Sequence, residues 1–135
     1  MSRFTKLNLK QDVDDMATKF GMAPKLEYRV ATKPLDAEES AVSYLRMAPN
    51  FRMPFGHKHE QQEEIYVLVG GSARVKLDDE VVELKQWDTV RIPNDTVRNL
   101  EAGSDGAELI LIGAPNTGPN DAEMLQGWWK EDGGS

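Results

Sequence analysis

The chain has 135 residues, with Lys+Arg 16 against Asp+Glu 23 for a formal charge of −7, and it contains no cysteine. That length suits one domain with a self-sufficient core. The acidic balance argues against nucleic acid and anionic membranes as partners, and the missing thiols exclude a disulfide framework, a thiolate nucleophile and a zinc–cysteine site.

The N-terminal stretch MSRFTKLNLKQDVDDM lacks an apolar run of signal-peptide type. No segment approaches the length that crosses a bilayer. A cytoplasmic protein is the expectation. Residues 1–25 read as a polar extension with a short helix over Asp12–Phe20. Asp12, Asp14 and Asp15 suit its first turn, Lys19 its last, and Gly21 its stop. Met16 and Phe20, spaced i, i+4, would form its apolar stripe.

From residue 26 to 113 the pattern changes to short extended runs. These are Leu26–Ala31, Ala41–Met47, Glu64–Val69, Ala73–Leu77, Val81–Leu84, Asp88–Ile92, Val97–Glu101 and Ala107–Ile112. Turn chemistry at Asp78-Asp79, Pro93-Asn94-Asp95 and Gly103-Ser104-Asp105-Gly106 separates them. About eight strands at this spacing predict an all-β antiparallel sandwich or barrel. Val81–Leu84 and Ala73–Leu77 flank Asp78-Asp79-Glu80 as a hairpin. The strand beginning at Glu64 is apolar on both faces and belongs in the middle of the sheet.

Residues 114–135 form an irregular tail rich in Pro, Gly, Asn and Asp that nevertheless carries Trp128 and Trp129. Two tryptophans need a surface to cover, so the tail is expected to dock on the domain or on a partner subunit. The final Glu131–Ser135 is expected to fray.

Both histidines of the chain fall in the run Gly56-His57-Lys58-His59-Glu60-Gln61-Gln62-Glu63-Glu64. Neutral imidazole is the commonest metal ligand near pH 7, with carboxylate its usual companion. On an extended strand i and i+2 share a face, so the two rings can converge. A turn that resets the strand parity would bring Glu64 to them. On an unbroken strand Glu63 would share their face instead and is the competing ligand. Glu60, Gln61 and Gln62 read as the solvated residues of that turn. Two exposed histidines in a charged loop is the alternative that invokes no chemistry.

These residues resemble the first motif of the cupin superfamily, which runs Gly, five residues, His-x-His, three or four residues, Glu, six residues, Gly. His57-Lys58-His59, Glu64 and Gly71 fit it, while Phe51 stands at the opening Gly. The second motif runs Gly, five residues, Pro-x-Gly, two residues, His, three residues, Asn. Pro93 survives, with Trp87, Asp95, Arg98 and Ala102 at the other positions. The resemblance covers roughly residues 40–113 and points to the small single-domain bacterial cupins.

It implies a double-stranded β-helix (jelly-roll) barrel, a homodimer, and a divalent metal (Fe, Mn, Zn or Ni) held by His57, His59 and Glu64. It also implies a small polar or anionic ligand beside the metal. Arg98 and Tyr66 are the ligand-binding residues to consider, with core packing and one satisfied hydrogen bond as the other reading of Tyr66. As an enzyme, such a protein would be a metal-dependent oxygenase or isomerase. A non-catalytic, metal-free module that binds or senses a small molecule is the alternative. Arg98, at the position of the family's fourth ligand, has three readings. It swings out to the barrel rim, it pairs with Glu64 in a metal-free pocket, or it clamps a ligand carboxylate or phosphate. Phe51, Met53 and Phe55 alternate ahead of the histidines and would line the pocket mouth, or pack in the core or in a dimer interface. Both histidines are committed to this cluster, so no Ser-His-Asp arrangement is available. Gly70-Gly71 runs into Ser72-Ala73-Arg74 and is no phosphate loop.

Overall fold

The computed structural model describes residues 3–130, so the expected fraying of Glu131–Ser135 lies outside the described residues. The strands are β1 (Leu26–Val30), β2 (Ala41–Met47), β3 (Phe55–His59), β4 (Glu63–Leu77), β5 (Glu80–Leu84), β6 (Thr89–Ile92), β7 (Arg98–Ala114) and β8 (Ala122–Gln126). A single 3-10 turn over Pro119–Asp121 precedes β8. All pair antiparallel in one curled sheet with the path β1-β2-β7-β3-β8, and β4 joins it along β7 while carrying β5 and β6 on its other side. Among the described residues no helix is long and apolar enough to cross a membrane.

The two longest strands each absorb what reads as two strands in the sequence. β4 and β7 pair from Glu63↔Ala114 to Leu77↔Arg98, with register shifts at Leu68/Gly70 and Gly71/Ala73. Along β4 the buried residues are Tyr66 and Leu68 before the shifts, then Ala73 and Val75 after them. An inserted residue changes the parity, so one strand keeps its apolar side inward while it bends. Gly71 sits at the bend with φ 75, and a Cβ there would lie 2.1 Å from the carbonyl oxygen of Gly106. The segment Gly103-Ser104-Asp105-Gly106, expected as a turn, is therefore the bulged middle of β7. The core between the curled faces is built on Met47, Tyr66, Leu68, Ile92, Leu100 and Leu109. Each such apolar side chain contributes about 1.5–3 kcal/mol when taken out of water. Phe51 and Met53 pack against this cluster.

Two expectations need correction. The helix over Asp12–Phe20 does not form, because its backbone is drawn onto β1. Asp15 bridges Arg29, its carboxylate accepts the N–H groups of Ala17 and Tyr28 at 3.0 and 2.9 Å, and Met16 N donates to Tyr28 O at 2.7 Å. An aspartate that caps backbone groups competes with helix continuation, and what remains is turns. Val13 and Ala17 are the buried pair, while Phe20 is 56% exposed.

The tail, expected to be irregular, contains β8, which pairs with β3 from Phe55↔Gln126 to His59↔Ala122. Beyond it Trp129 is buried with the Arg52 guanidinium 4.3 Å above its ring. Trp128 lies against Gly56, where an added Cβ would meet its ring at 2.8 Å. Both tryptophans thus contact residues next to or within β3 of the same chain.

Candidate metal centre

β3 is extended, so His57 and His59 project to one side, with ring centroids 5.1 Å apart and planes at 86°. Glu64 comes from β4, which pairs with β5, β6 and β7 and not with β3. Parity across the intervening turn therefore does not decide which glutamate faces the histidines. The inward side of β4 decides it: Glu64 shares that side with Tyr66 and Leu68, whereas Glu63 is exposed and pairs with Arg91 at 3.0 Å. The turn itself is not fully solvated. Gln62 is buried, and its side-chain amide donates to Pro115 O at 3.1 Å.

One carboxylate oxygen is the hub of the site. Oε1 of Glu64 lies 3.2 Å from His57 Nε2, 3.3 Å from His59 Nε2, 3.2 Å from the Tyr66 hydroxyl and 3.4 Å from Arg98 Nη1. The ligand atoms of His57, His59 and Glu64 all lie within 4.8 Å of one another. Burial acts to raise the Glu64 pKa, but the two imidazoles and the Arg98 charge outweigh it and hold the carboxyl well below the usual range. Burial pushes the His57 pKa down more than Glu64 pulls it up, so its imidazole is held neutral. Burial, reinforced by the Glu64 charge, holds the Tyr66 hydroxyl protonated. Tyr28 on β1 is raised in the same way, by burial first.

Arg98 does not swing to the rim. Its side chain is 0% exposed, its Cα stands opposite His57 across β3 and β7, and its Nη2 donates to Pro93 O at 2.8 Å. Nε and Nη1 have no hydrogen-bond partner among the described residues. A buried donor left unmatched costs about 1–3 kcal/mol, more when it is charged. Trp87, at the position where the resemblance has glycine, adopts φ 75 and is 67% exposed. A left-handed backbone explains the family's glycine there.

Asp121 is the site residue that sequence reading missed. Its side chain lies 3.0 Å from His59 Nδ1 and accepts the N–H groups of Gln61 and Gln62 at 3.0 and 3.1 Å. Burial would raise its pKa, but those backbone donors and His59 outweigh it and hold the carboxyl ionised. Pro119-Asn120-Asp121 reads in sequence as turn chemistry, and no spacing rule joins it to a histidine 62 positions away.

The donor set fits a divalent ion. With Asp121 accepting from Nδ1, His59 presents a bare Nε2 lone pair toward an ionised carboxylate, and that buried atom has no hydrogen-bond partner. Two acceptors facing each other repel unless a cation lies between them. The 3.2 and 3.3 Å separations match the ligand–ligand edges of a coordination shell with bonds of about 2.1 Å, roughly 3.0 Å if octahedral and 3.4 Å if tetrahedral.

The cupin domain family profile matches residues 43–113. An uncharacterized protein of Methanocaldococcus jannaschii is 34% identical over 71 residues, which cover 52% of this chain and 57% of that protein. The chain thus spans little more than half the length of that relative. A crystal structure of a cupin protein from Bacteroides fragilis superposes with a TM-score of 0.70 at 25% identity, covering 89% of this chain and 91% of the other. The oxalate decarboxylase of Bacillus subtilis superposes with a TM-score of 0.74 at 19% identity, covering 93% of this chain and 33% of that one, a likeness of fold. The curled all-β sheet, the His-x-His and Glu cluster and the matched profile agree, and the chain belongs to the cupin family.

Proposed function

We propose that the protein holds a divalent metal ion (Fe, Mn, Zn or Ni) through His57, His59 and Glu64 and binds a small anion beside it. The convergence of two imidazole Nε2 atoms on one ionised carboxylate oxygen carries the metal reading. Arg98 supports the anion reading. It is fully buried, and its Nε and Nη1 have no hydrogen-bond partner among the described residues, so it can receive a carboxylate or phosphate oxygen without leaving its place. Charge points the same way. Glu64, Asp121 and Arg98 leave the pocket with one negative charge, and a divalent ion turns this into one positive charge, which a small monoanion balances. Tyr66, held protonated, can donate to such a ligand once its bond to Glu64 is shared.

The ion would supply Lewis-acid polarisation of a bound oxygen or, for iron, access to oxygen chemistry. A metal-dependent oxygenase or isomerase is the reaction class we assign on this basis, acting in the cytoplasm as a homodimer. The test is the thermal midpoint of protein purified without chelator, with iron, manganese, zinc or nickel added singly. A rise that saturates with one ion per chain is expected, because a ligand bound to the native state alone stabilises it. No rise with any of the four overturns the metal reading.

One observation favours a second reading. Arg98 Nη1 at 3.4 Å already opposes the Glu64 charge, so a metal-free pocket is neutralised from within. A non-catalytic module that binds a small anion through Arg98 would then melt higher with acetate or phosphate and unchanged with metal ions.

A further inference from the structure

Resting on the metal reading above, we infer that Asp121 is the positioning residue of this site. The C-terminal strap formed by Pro119–Asp121 and β8 is therefore part of the metal centre and not merely a docked tail. The inference starts from the tautomer of His59. A neutral imidazole carries one proton, on Nδ1 or on Nε2, and only the nitrogen without it can bind an ion. In His59 the Nδ1 atom faces Asp121 Oδ2 at 3.0 Å. That carboxylate, held ionised and accepting the N–H groups of Gln61 and Gln62, has no proton to donate. The Nδ1–Asp121 contact has hydrogen-bond geometry, whereas Nε2, 3.3 Å from Glu64 Oε1, has no hydrogen-bond partner, so the neutral ring carries its proton on Nδ1 and directs the Nε2 lone pair at Glu64.

The strap that brings Asp121 here is fixed on three levels. β8 pairs with β3, the strand that carries both histidines, in the register His59↔Ala122 and His57↔Met124. Glu60 N donates to Asp121 O at 3.0 Å, and Gly127 N donates to Pro54 O at 2.9 Å. At the far end Arg52 holds the chain through bonds to the carbonyls of Trp129 and Lys130 at 3.3 and 2.9 Å. A hydrogen-bonded carboxylate behind a metal-binding histidine orients the ring and raises its basicity, and losing it typically costs 10–100-fold in metal affinity. Affinity for the ion and docking of the strap are then linked, each strengthening the other.

An asparagine at this position cannot reproduce the arrangement. With its amide nitrogen toward His59 it opposes the Gln62 N–H, donates to Nδ1 and moves the imidazole proton to Nε2; with its oxygen there, the nitrogen opposes the Gln61 N–H and the neutral amide oxygen loses the imidazole proton to the ionised Glu64 carboxylate. The experiment measures the His59 tautomer by long-range 1H–15N correlation in metal-free wild type and in Asp121→Asn, alongside zinc titration of both by calorimetry. Expected are the Nδ1–H form in wild type, its loss in the variant, and zinc affinity weakened about 10–100-fold. An Nε2–H form in wild type, the same tautomer in both proteins, or zinc affinities within twofold would each overturn the inference. If wild type takes up none of iron, manganese, zinc or nickel, the metal reading fails on its own, and the tautomer pair alone decides the positioning role. Should Asp121→Asn fail to fold, the wild-type spectrum still decides it.

Discussion

The pocket has two walls of opposite character. The wall from β3 and β4 presents His57 Nε2 and His59 Nε2, each within 3.3 Å of Glu64 Oε1. The wall from β7 presents a fixed cation, Arg98, which stands across from His57 and is anchored on Pro93. The first wall attracts a metal ion and the second repels it. Both act on the same oxygen, so Glu64 is shared between a site that would bind metal and an internal salt bridge that needs none. Ion binding here is a competition within one carboxylate, and the outcome depends on how strongly each wall holds it.

Stripping the acceptor wall has the largest expected effect. His57→Ala/His59→Ala should abolish metal uptake, read by elemental analysis of protein purified without chelator; equal content in variant and wild type would place the ion elsewhere. Next comes the hub. Glu64→Gln leaves the Arg98 charge buried without a counter-charge, and unfolding in urea with chelator present should show a loss of about 3–5 kcal/mol. A loss under about 1 kcal/mol would mean that Arg98 has another partner.

Removing the cationic wall should act in the opposite sense on metal and in the same sense on anion. Arg98→Met relieves like-charge repulsion, and since about 1.4 kcal/mol is a decade in affinity, zinc binding should tighten about tenfold or more. Binding of acetate or phosphate should fall in the same protein, and unchanged zinc affinity would show that the two walls do not compete. The smallest effect is expected of Tyr66→Phe, which deletes a hydroxyl bonded to Glu64. It should cost about 0.5–1.5 kcal/mol in stability by chemical denaturation, and a cost beyond about 3 kcal/mol would falsify the view that this bond is a minor support of the hub.

The two chain ends show where the sequence was legible and where it was not. At the N-terminal end, dipole and capping signals for a helix are present, but Asp15 and Met16 spend their hydrogen bonds on β1. Local propensity is worth tenths of a kcal/mol per residue and yields to a sheet edge that satisfies the same groups. At the C-terminal end, Trp129 is buried and Trp128 lies against Gly56. Composition hid the strand, because β8 owes its form to the free edge of β3 and not to its own residues. The strands themselves were readable from alternation, and Ala41–Met47 emerges with its expected bounds. The β4 and β7 bulges were read as breaks, because glycine marks a sharp bend and a chain turn alike.

By itself the sequence determined the all-β class and singled out His57, His59 and Glu64 as one cluster. Strand periodicity is local, and His57, His59 and Glu64 lie within eight consecutive residues. Tertiary structure alone decided that Arg98 is buried, that Glu63 is exposed against Arg91, and that Asp121 stands behind His59. Each of these depends on which strand lies opposite which, through the pairing of β7 with β3, of β4 with β6 and of β8 with β3. Pairing between distant segments is set by burial of the whole sheet and leaves no mark at fixed spacing in the chain.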